Sequence, residues 1–370
     1  MIEVRPATAN LEDSLQIMLN RITLTVLLVA GLLAGLSNGN AADLAPAPKP
    51  TDQSAIQQAA DWIARTNQVQ TEYRYVMTCR VRFLFFWGGK DDVGGGYVKI
   101  GKAAGDDHEE MVQILFGSDP AKAPLSINRW GAGTEVLRVE DSGQPVASAF
   151  FGFMKSSKGQ SVLAMRSELA REKSSGSHLF EGVISRVDSD RALTASVPYQ
   201  SSQDFDLNQY SQAEMAALKE LQSDPARHIS SVDGADRKEC PRVGEFLTTV
   251  LQLMHDATSG HATPESLTYI YNARHYTATL VDVQDVAEKT IHVQYHANGG
   301  SLDRTYRNVK NAHFEVACRE TGTKSVFDIL LGTAGSLRGT PLQINYQPNW
   351  WFQVVLNLMP NVPMTASLQH

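Results

Sequence analysis

From Tyr73 to Trp87 the odd positions read Tyr, Tyr, Met, Cys, Val, Phe, Phe and Trp, while the even positions include Arg74, Thr78, Arg80 and Arg82. Alternation with period 2 sends successive side chains to opposite faces, so this stretch predicts a long strand with one core face and one wet face, bent or bulged along its length. GGKDDVGGG at 88–96 predicts a glycine-rich turn, after which YVKIG, MVQILFG, INRWG, TEVLRV, PVASAFFGF, HLFEGVISRV and RALTASV read as further strands between polar turns. Helical spacing appears at 51–67 through Ile56, Ala60 and Ile63, at 161–173 through Val162, Met165 and Leu169, at 212–222, and at 243–257 through Phe246, Val250, Leu253 and Met254. Beyond residue 265 the pattern is almost wholly that of strands, with Asn298-Gly299-Gly300 as a hairpin signal. The predicted class is α+β: mostly antiparallel β-sheet, in a meander, with three to four helices.

A different pattern opens the chain. Met18-Leu19-Asn20-Arg21 precedes the apolar run ITLTVLLVAGLLAGL at 22–36, which SNGNAAD follows. A short basic head, an apolar stretch of this length and small residues at Gly39 and Ala41 predict a secretory signal peptide cleaved after Ala41, with Met18 as the translation start. The run falls short of the ~20 apolar residues that span a bilayer, so no stable membrane insertion is expected once it is removed. The domain reading is an N-terminal extension and signal peptide over 1–41, a Pro-rich linker over 42–50, an N-terminal α+β domain over 51–230, a C-terminal β-rich domain over 243–359 and a frayed tail over 360–370. The polar, aperiodic stretch 223–241 sets the division. A periplasmic or extracellular location follows from the signal.

Composition narrows the function classes. Of 370 residues, 42% are hydrophobic and 20% charged, which excludes a disordered chain. The net charge is −7 and no basic stripe accompanies it, so nucleic acid is not an expected partner. Three cysteines in an oxidising compartment allow one intramolecular bridge. Cys79 sits mid-strand among large apolar neighbours, whereas Cys240 follows a polar loop, so Cys240–Cys318 is the expected pair.

Motifs that would carry chemistry are sparse. GGKDDVGGG lacks the order of a phosphate loop, and Asp91 and Asp92 would repel a phosphate; as a cation site the pair is short of oxygens. HExxH and GxSxG do not occur in the sequence. His292 and His296 would sit ~13 Å apart on one strand face, too far to share a metal. No metal or cofactor is expected, and the enzyme question stays open, weighted toward no. In LFGSDPAKAPLSINRWG at 115–131, Asp119 reads as a cap before Pro120, and Arg129 and Trp130 face opposite ways. One reading is a pocket edge with Arg129 paired to Asp91, Asp92 or Asp119; the other is a structural turn with an ion pair. In YQPNWW, Trp350 continues the Phe352, Val354, Leu356 face, while Trp351 aligns with Gln353 and Asn357. Trp351 is thus a candidate contact for a partner or glycan, or a cap on the sheet edge. The candidate binding residues are Asp91, Asp92, Asp119, Arg129, Trp130 and Trp351.

The segments GSDPAKAP…INRWG and YQPNWWFQV resemble a group of uncharacterised exported bacterial proteins. The resemblance covers those segments alone and implies a bacterial envelope protein without assigning any activity. The resulting expectation is an exported soluble envelope protein, a non-catalytic binding or structural component whose partner is an envelope protein or a glycan. The alternative is a secreted or periplasmic hydrolase with a site assembled from distant segments.

Overall fold

The computed structural model describes residues 50–65, 68–83, 86–103, 106–119, 121–123, 130–141, 145–155, 178–188, 191–201, 210–223, 232–235, 240, 244–260, 263–295, 300–349 and 352–359. Helix α1 (Pro50–Arg65) leads into β1 (Gln68–Phe83), β2 (Phe86–Ala103), β3 (Asp106–Ser118), β4 (Trp130–Val139), β5 (Pro145–Lys155), β6 (His178–Val187) and β7 (Ala192–Ser201). Helix α2 (Tyr210–Ser223), β8 (Val232–Ala235) and helix α3 (Phe246–Ser259) follow. The chain then forms β9 (Glu265–Tyr271), β10 (Arg274–Tyr295), β11 (Gly300–Cys318), β12 (Lys324–Leu331), β13 (Pro341–Asn349) and β14 (Phe352–Leu358).

All fourteen strands belong to one antiparallel sheet, ordered 8-7-6-5-4-3-2-1-14-13-12-11-10-9. Sequential strands pair from β1 to β8 and from β9 to β14, and β1 pairs with β14 from Tyr75↔Leu358 to Val81↔Phe352. Read as a ring, this is a meander with one missing pair, β8 with β9, and at that seam the chain builds α3 instead. Side chains close what backbone pairing leaves open. Phe150 of β5 meets Tyr271 of β9 edge to face at 5.4 Å, and the Ala273 N–H donates to Thr194 Oγ1 of β7 at 3.2 Å.

The interior is filled. One apolar cluster joins Tyr75, Met77 and Cys79 of β1, Val112 and Ile114 of β3, Leu253 and Met254 of α3 and the inward residues of β9–β14, including Phe314, Phe327, Phe352 and Leu356. A second cluster lies on the outer face of β2–β7, where α1 lays down Ile56, Ala59, Ala60 and Ile63 and α2 adds Leu218 and Leu221. Those spacings are the 3.6-residue stripe of a helix that buries one face. Elsewhere the outer face is polar: Ser266 bonds Thr279, Gln353 bonds Asn345, and His313 pairs with Asp328. Apolar inside and polar outside is the reverse of a lipid-spanning barrel.

The α+β expectation is corrected by this arrangement. The fold is a nearly closed, barrel-like β-sheet, and the three described α-helices decorate or plug it rather than forming a layer. Strands are longer than their local patterns suggest. The run 88–96 is not a turn but lies in the first half of β2: residues 88–90 and 94–96 pair with β1, and 94–96 pair with β3 as well. Its glycines permit this: a Cβ on Gly94 would fall 2.1 Å from the Gly117 carbonyl oxygen, and one on Gly96 would fall 2.1 Å from that of Leu115. The predicted long strand 73–87 is accordingly a hairpin, with Phe83 opposite Phe86. Helices at 51–67, 212–222 and 243–257 appear as α1, α2 and α3. The helix expected at 161–173, the signal peptide, residues 42–49 of the linker and the tail lie outside the described residues. The sheet takes strands from both sides of the 223–241 stretch.

Candidate functional site

Two constellations of polar groups stand out, one inside the barrel and one on its surface. The interior one holds α3. Glu245, the residue before the helix, makes no side-chain cap to it. Glu135 of β4 does that work from across the barrel: Oε1 accepts the Glu245 N–H at 2.6 Å and the Thr248 hydroxyl at 2.5 Å, and Oε2 accepts the N–H groups of Leu247 at 2.9 Å and Thr248 at 3.1 Å. Helix N-termini carry unsatisfied N–H groups and partial positive charge, so a carboxylate placed there is stabilised. At the other end Lys310 of β11 donates to the Ala257 carbonyl at 3.0 Å, a cation where the dipole is negative. Gly244 makes the approach possible, since it has φ +122 and a Cβ there would lie 2.8 Å from Thr248 Oγ1.

Glu245 turns instead toward β6, where Oε1 accepts the Ser185 hydroxyl at 2.6 Å and Oε2 has no partner. Both glutamates are fully buried. Burial raises the Glu135 carboxyl above its ordinary range against the hydrogen bonds that lower it. Glu245 is pushed up further, by burial and then by the charge of Glu135. The pair therefore stores one proton, and the geometry puts it on Glu245, whose Oε2 lacks any donor to satisfy a negative charge. Tyr269 and Tyr271 of β9 complete the wall; burial and neighbouring tyrosines raise both phenols. With neither carboxylate reaching solvent and the four bonds of Glu135 committed to α3, this constellation anchors a helix and does not present a reactive group to a substrate.

The surface constellation is a cleft of about 580 Å³ where the C-terminal end of α1 meets α2 and the ends of β3–β6. Asp61, Arg65, Glu109, Arg138 and Arg186 line it with Gln58 and Gln222. Most of these groups are engaged. Arg186 grips Asp188 through Nε at 2.9 and 3.1 Å and reaches Gln58 Oε1 at 2.9 Å, while Gln222 Nε2 donates to Asp61 Oδ1 at 2.6 Å. Arg138 and Glu109 are opposed in the β3–β4 register without forming an ion pair. Arg138 also lines an adjoining shallower cleft of about 620 Å³, beside His108 and Asp141. An exposed guanidinium that no carboxylate holds among the described residues is the feature a ligand anion would use.

No known protein family matches this chain, and no curated protein matches it. Among solved structures it is similar to one described as a beta-barrel-like protein of domain of unknown function DUF1849 from Brucella abortus, at 10% identity, over 79% of this chain and 98% of that one, with a TM-score of 0.38.

The residues singled out from the sequence fall elsewhere. Asp91 accepts the Thr78 hydroxyl at 2.9 Å. Asp92 and Asp119 share Lys122, at 3.2 and 3.8 Å, and Asp119 Oδ1 also accepts the Ala121 N–H at 2.9 Å. The structure thus brings Asp92 and Asp119 together as a turn held by ion pairs. Trp130 is buried in the layer under α1 and α2. Arg129 and Trp351 lie outside the described residues. The expected Cys240–Cys318 bridge is not formed in this structure: all three cysteines are buried thiols. Cys240 packs with Leu137, Val187, Ala192 and Ile270, whereas Cys318 belongs to the interior cluster with its Sγ 3.6 Å from Glu320 Oε2. Burial pushes the Cys79 thiol up to about 12. Among the described residues no group of three His, Cys, Asp or Glu side chains could hold a metal ion. Sequence reasoning passed over Glu135, Glu245 and Arg138. An acid inside the apolar strand TEVLRV was the one visible signal.

Proposed function

We propose that this chain is an exported, non-catalytic binding component of a bacterial envelope, and that its ligand is an acidic glycan held in the cleft around Arg138. Export rests on the signal-like segment 18–41. The ligand class rests on the cleft: an exposed arginine without a carboxylate partner suits a sugar carboxylate, and the amides of Gln58 and Gln222 beside Asp61 and Glu109 suit hydroxyls. The observation that carries the reading is the Arg138 guanidinium, which has no ion-pair partner among the described residues and is shared by two adjoining clefts.

The test is calorimetric titration with uronic-acid oligosaccharides and with their neutral counterparts. Saturable binding of the acidic series is expected, with Arg138→Ala weakening it about tenfold or more, as loss of a charge-assisted hydrogen bond implies. Equal behaviour of acidic and neutral sugars, or indifference to the substitution, overturns the proposal.

A further inference from the structure

Strand pairing is missing between β8 and β9, and side chains tie the two flanks of that gap. One flank holds β4 to β7. The other holds β9, β10 and β11, and α3 packs along those three strands and reaches β4. Glu135 of β4 grips the first turn of α3 through four hydrogen bonds, and Ser185 of β6 donates to Glu245 just before it. Phe150 of β5 meets Tyr271 of β9, and Ile270 of β9 packs with Leu137 and Val187.

The polar part of this tie is incompletely satisfied. Glu245 Oε2, Thr249 Oγ1 of α3 and the Tyr269 hydroxyl of β9 are buried and have no hydrogen-bond partner among the described residues. Buried polar atoms without partners are unfavourable, and parting the flanks would give all three to water.

The tie also confines two carboxyls where one charge is provided for. Four donors stabilise Glu135 as an anion, whereas Glu245 receives one. Among the described residues no Lys, Arg or His bonds either carboxyl. The phenols of Tyr269 and Tyr271 act on the pair from β9, and Tyr276 of β10 and Cys318 of β11 stand behind Tyr269. His255 and Asp256 belong to the opposite end of α3, where Lys310 of β11 bonds the Ala257 carbonyl. Burial, and then the Glu135 charge, raises the Glu245 carboxyl, so the docked arrangement keeps a proton that a solvated glutamate releases.

We propose that Glu135 and Glu245 form a pH-operated latch: while Glu245 is protonated, α3 stays docked on β4 and β6, and when Glu245 ionises the first turns of α3 and β9 part from that wall. Two neighbouring anions in a water-free space repel one another, and separation hydrates both. The Arg138 cleft takes no part in the latch.

The experiment is hydrogen exchange of the whole chain read by mass spectrometry from pH 5 to pH 9, each rate divided by that of an unstructured peptide at the same pH. Protection of residues 246–253 and of β9 is expected to lie below that of β1 and β14. It is also expected to fall about tenfold per pH unit, the slope of one released proton, until Glu245 has ionised. In Glu245→Gln the same segments show no such fall. Ser185→Ala removes a donor to the carboxylate and carries the fall to a higher pH, which decides the matter should Glu245→Gln fail to fold. A flat wild-type profile overturns the proposal, as does a fall that persists in Glu245→Gln or that ends in Ser185→Ala at or below the wild-type pH. Protection of α3 and β9 equal to that of β1 and β14 at every pH overturns it too, since the helix would then leave only when the whole chain unfolds.

Discussion

Glu245 is a carboxyl that the fold keeps from ionising. Full burial, an Oε2 without a donor and the neighbouring Glu135 all raise its proton affinity, so the folded chain holds a proton at pH values where the unfolded chain has released it. Below the ordinary glutamate value of 4.5 both states are protonated and the group is neutral in its effect; as pH rises above that value, stability falls until the folded pKa is passed. The urea midpoint of wild type is therefore expected to decline across neutral pH. Glu245→Gln, which keeps an acceptor for Ser185, flattens that decline. Glu135→Gln acts differently: an amide has one acceptor oxygen where the carboxylate has two, and loss of the bonds at one of them costs about 2–4 kcal/mol. Identical midpoint profiles for the two variants would contradict these roles. The strand pattern around Thr134 and Val136 shows an acid on a β-strand, yet its partners lie 110 to 113 residues further on. Nothing local to TEVLRV announces a helix end arriving there.

Elements were legible where their own period decides them. Helices α1 and α3 show their stripe because one face of each is buried, and the inward residues Tyr75, Met77 and Cys79 stand where alternation put them. The glycine run 88–96 misled because the same residues that favour turns also allow two flanking strands to approach a third backbone closely. That makes a paired prediction. Gly96→Ala places a methyl 2.1 Å from the Leu115 carbonyl and is expected to lower the melting temperature by an amount equivalent to about 3 kcal/mol or more. Gly89→Ala, whose added Cβ would sit 3.4 Å from the flexible Arg80 side chain, is expected to be near neutral. Comparable melting temperatures for the two would return 88–96 to the status of a turn.

For the molecule as a whole, the sheet is a ring with a seam. Its edges are β8, four residues long, and β9, with α3 between them in chain order. Short edge strands limit pairing with other chains. Hydrogen exchange read by mass spectrometry is expected to be fastest in β8 and slowest in the β1–β14 pair, which is flanked by strands on both sides. Equal protection of β8 and β1 would mean that the seam is closed by more than the described side chains. Neither ring nor seam could be read from the sequence, because the decisive pairing joins the first strand to the last.

That pairing has a consequence for synthesis. Val81 meets Phe352, some 270 residues later, and a ribosome adding about 5–20 residues per second needs roughly 15–50 s to supply the partner. Throughout that interval the nascent β1 has one edge with no partner, next to an apolar face that forms the heart of the finished core. Arg74, Arg80 and Arg82 along the same strand are the charges that discourage a second nascent chain from taking the vacant place.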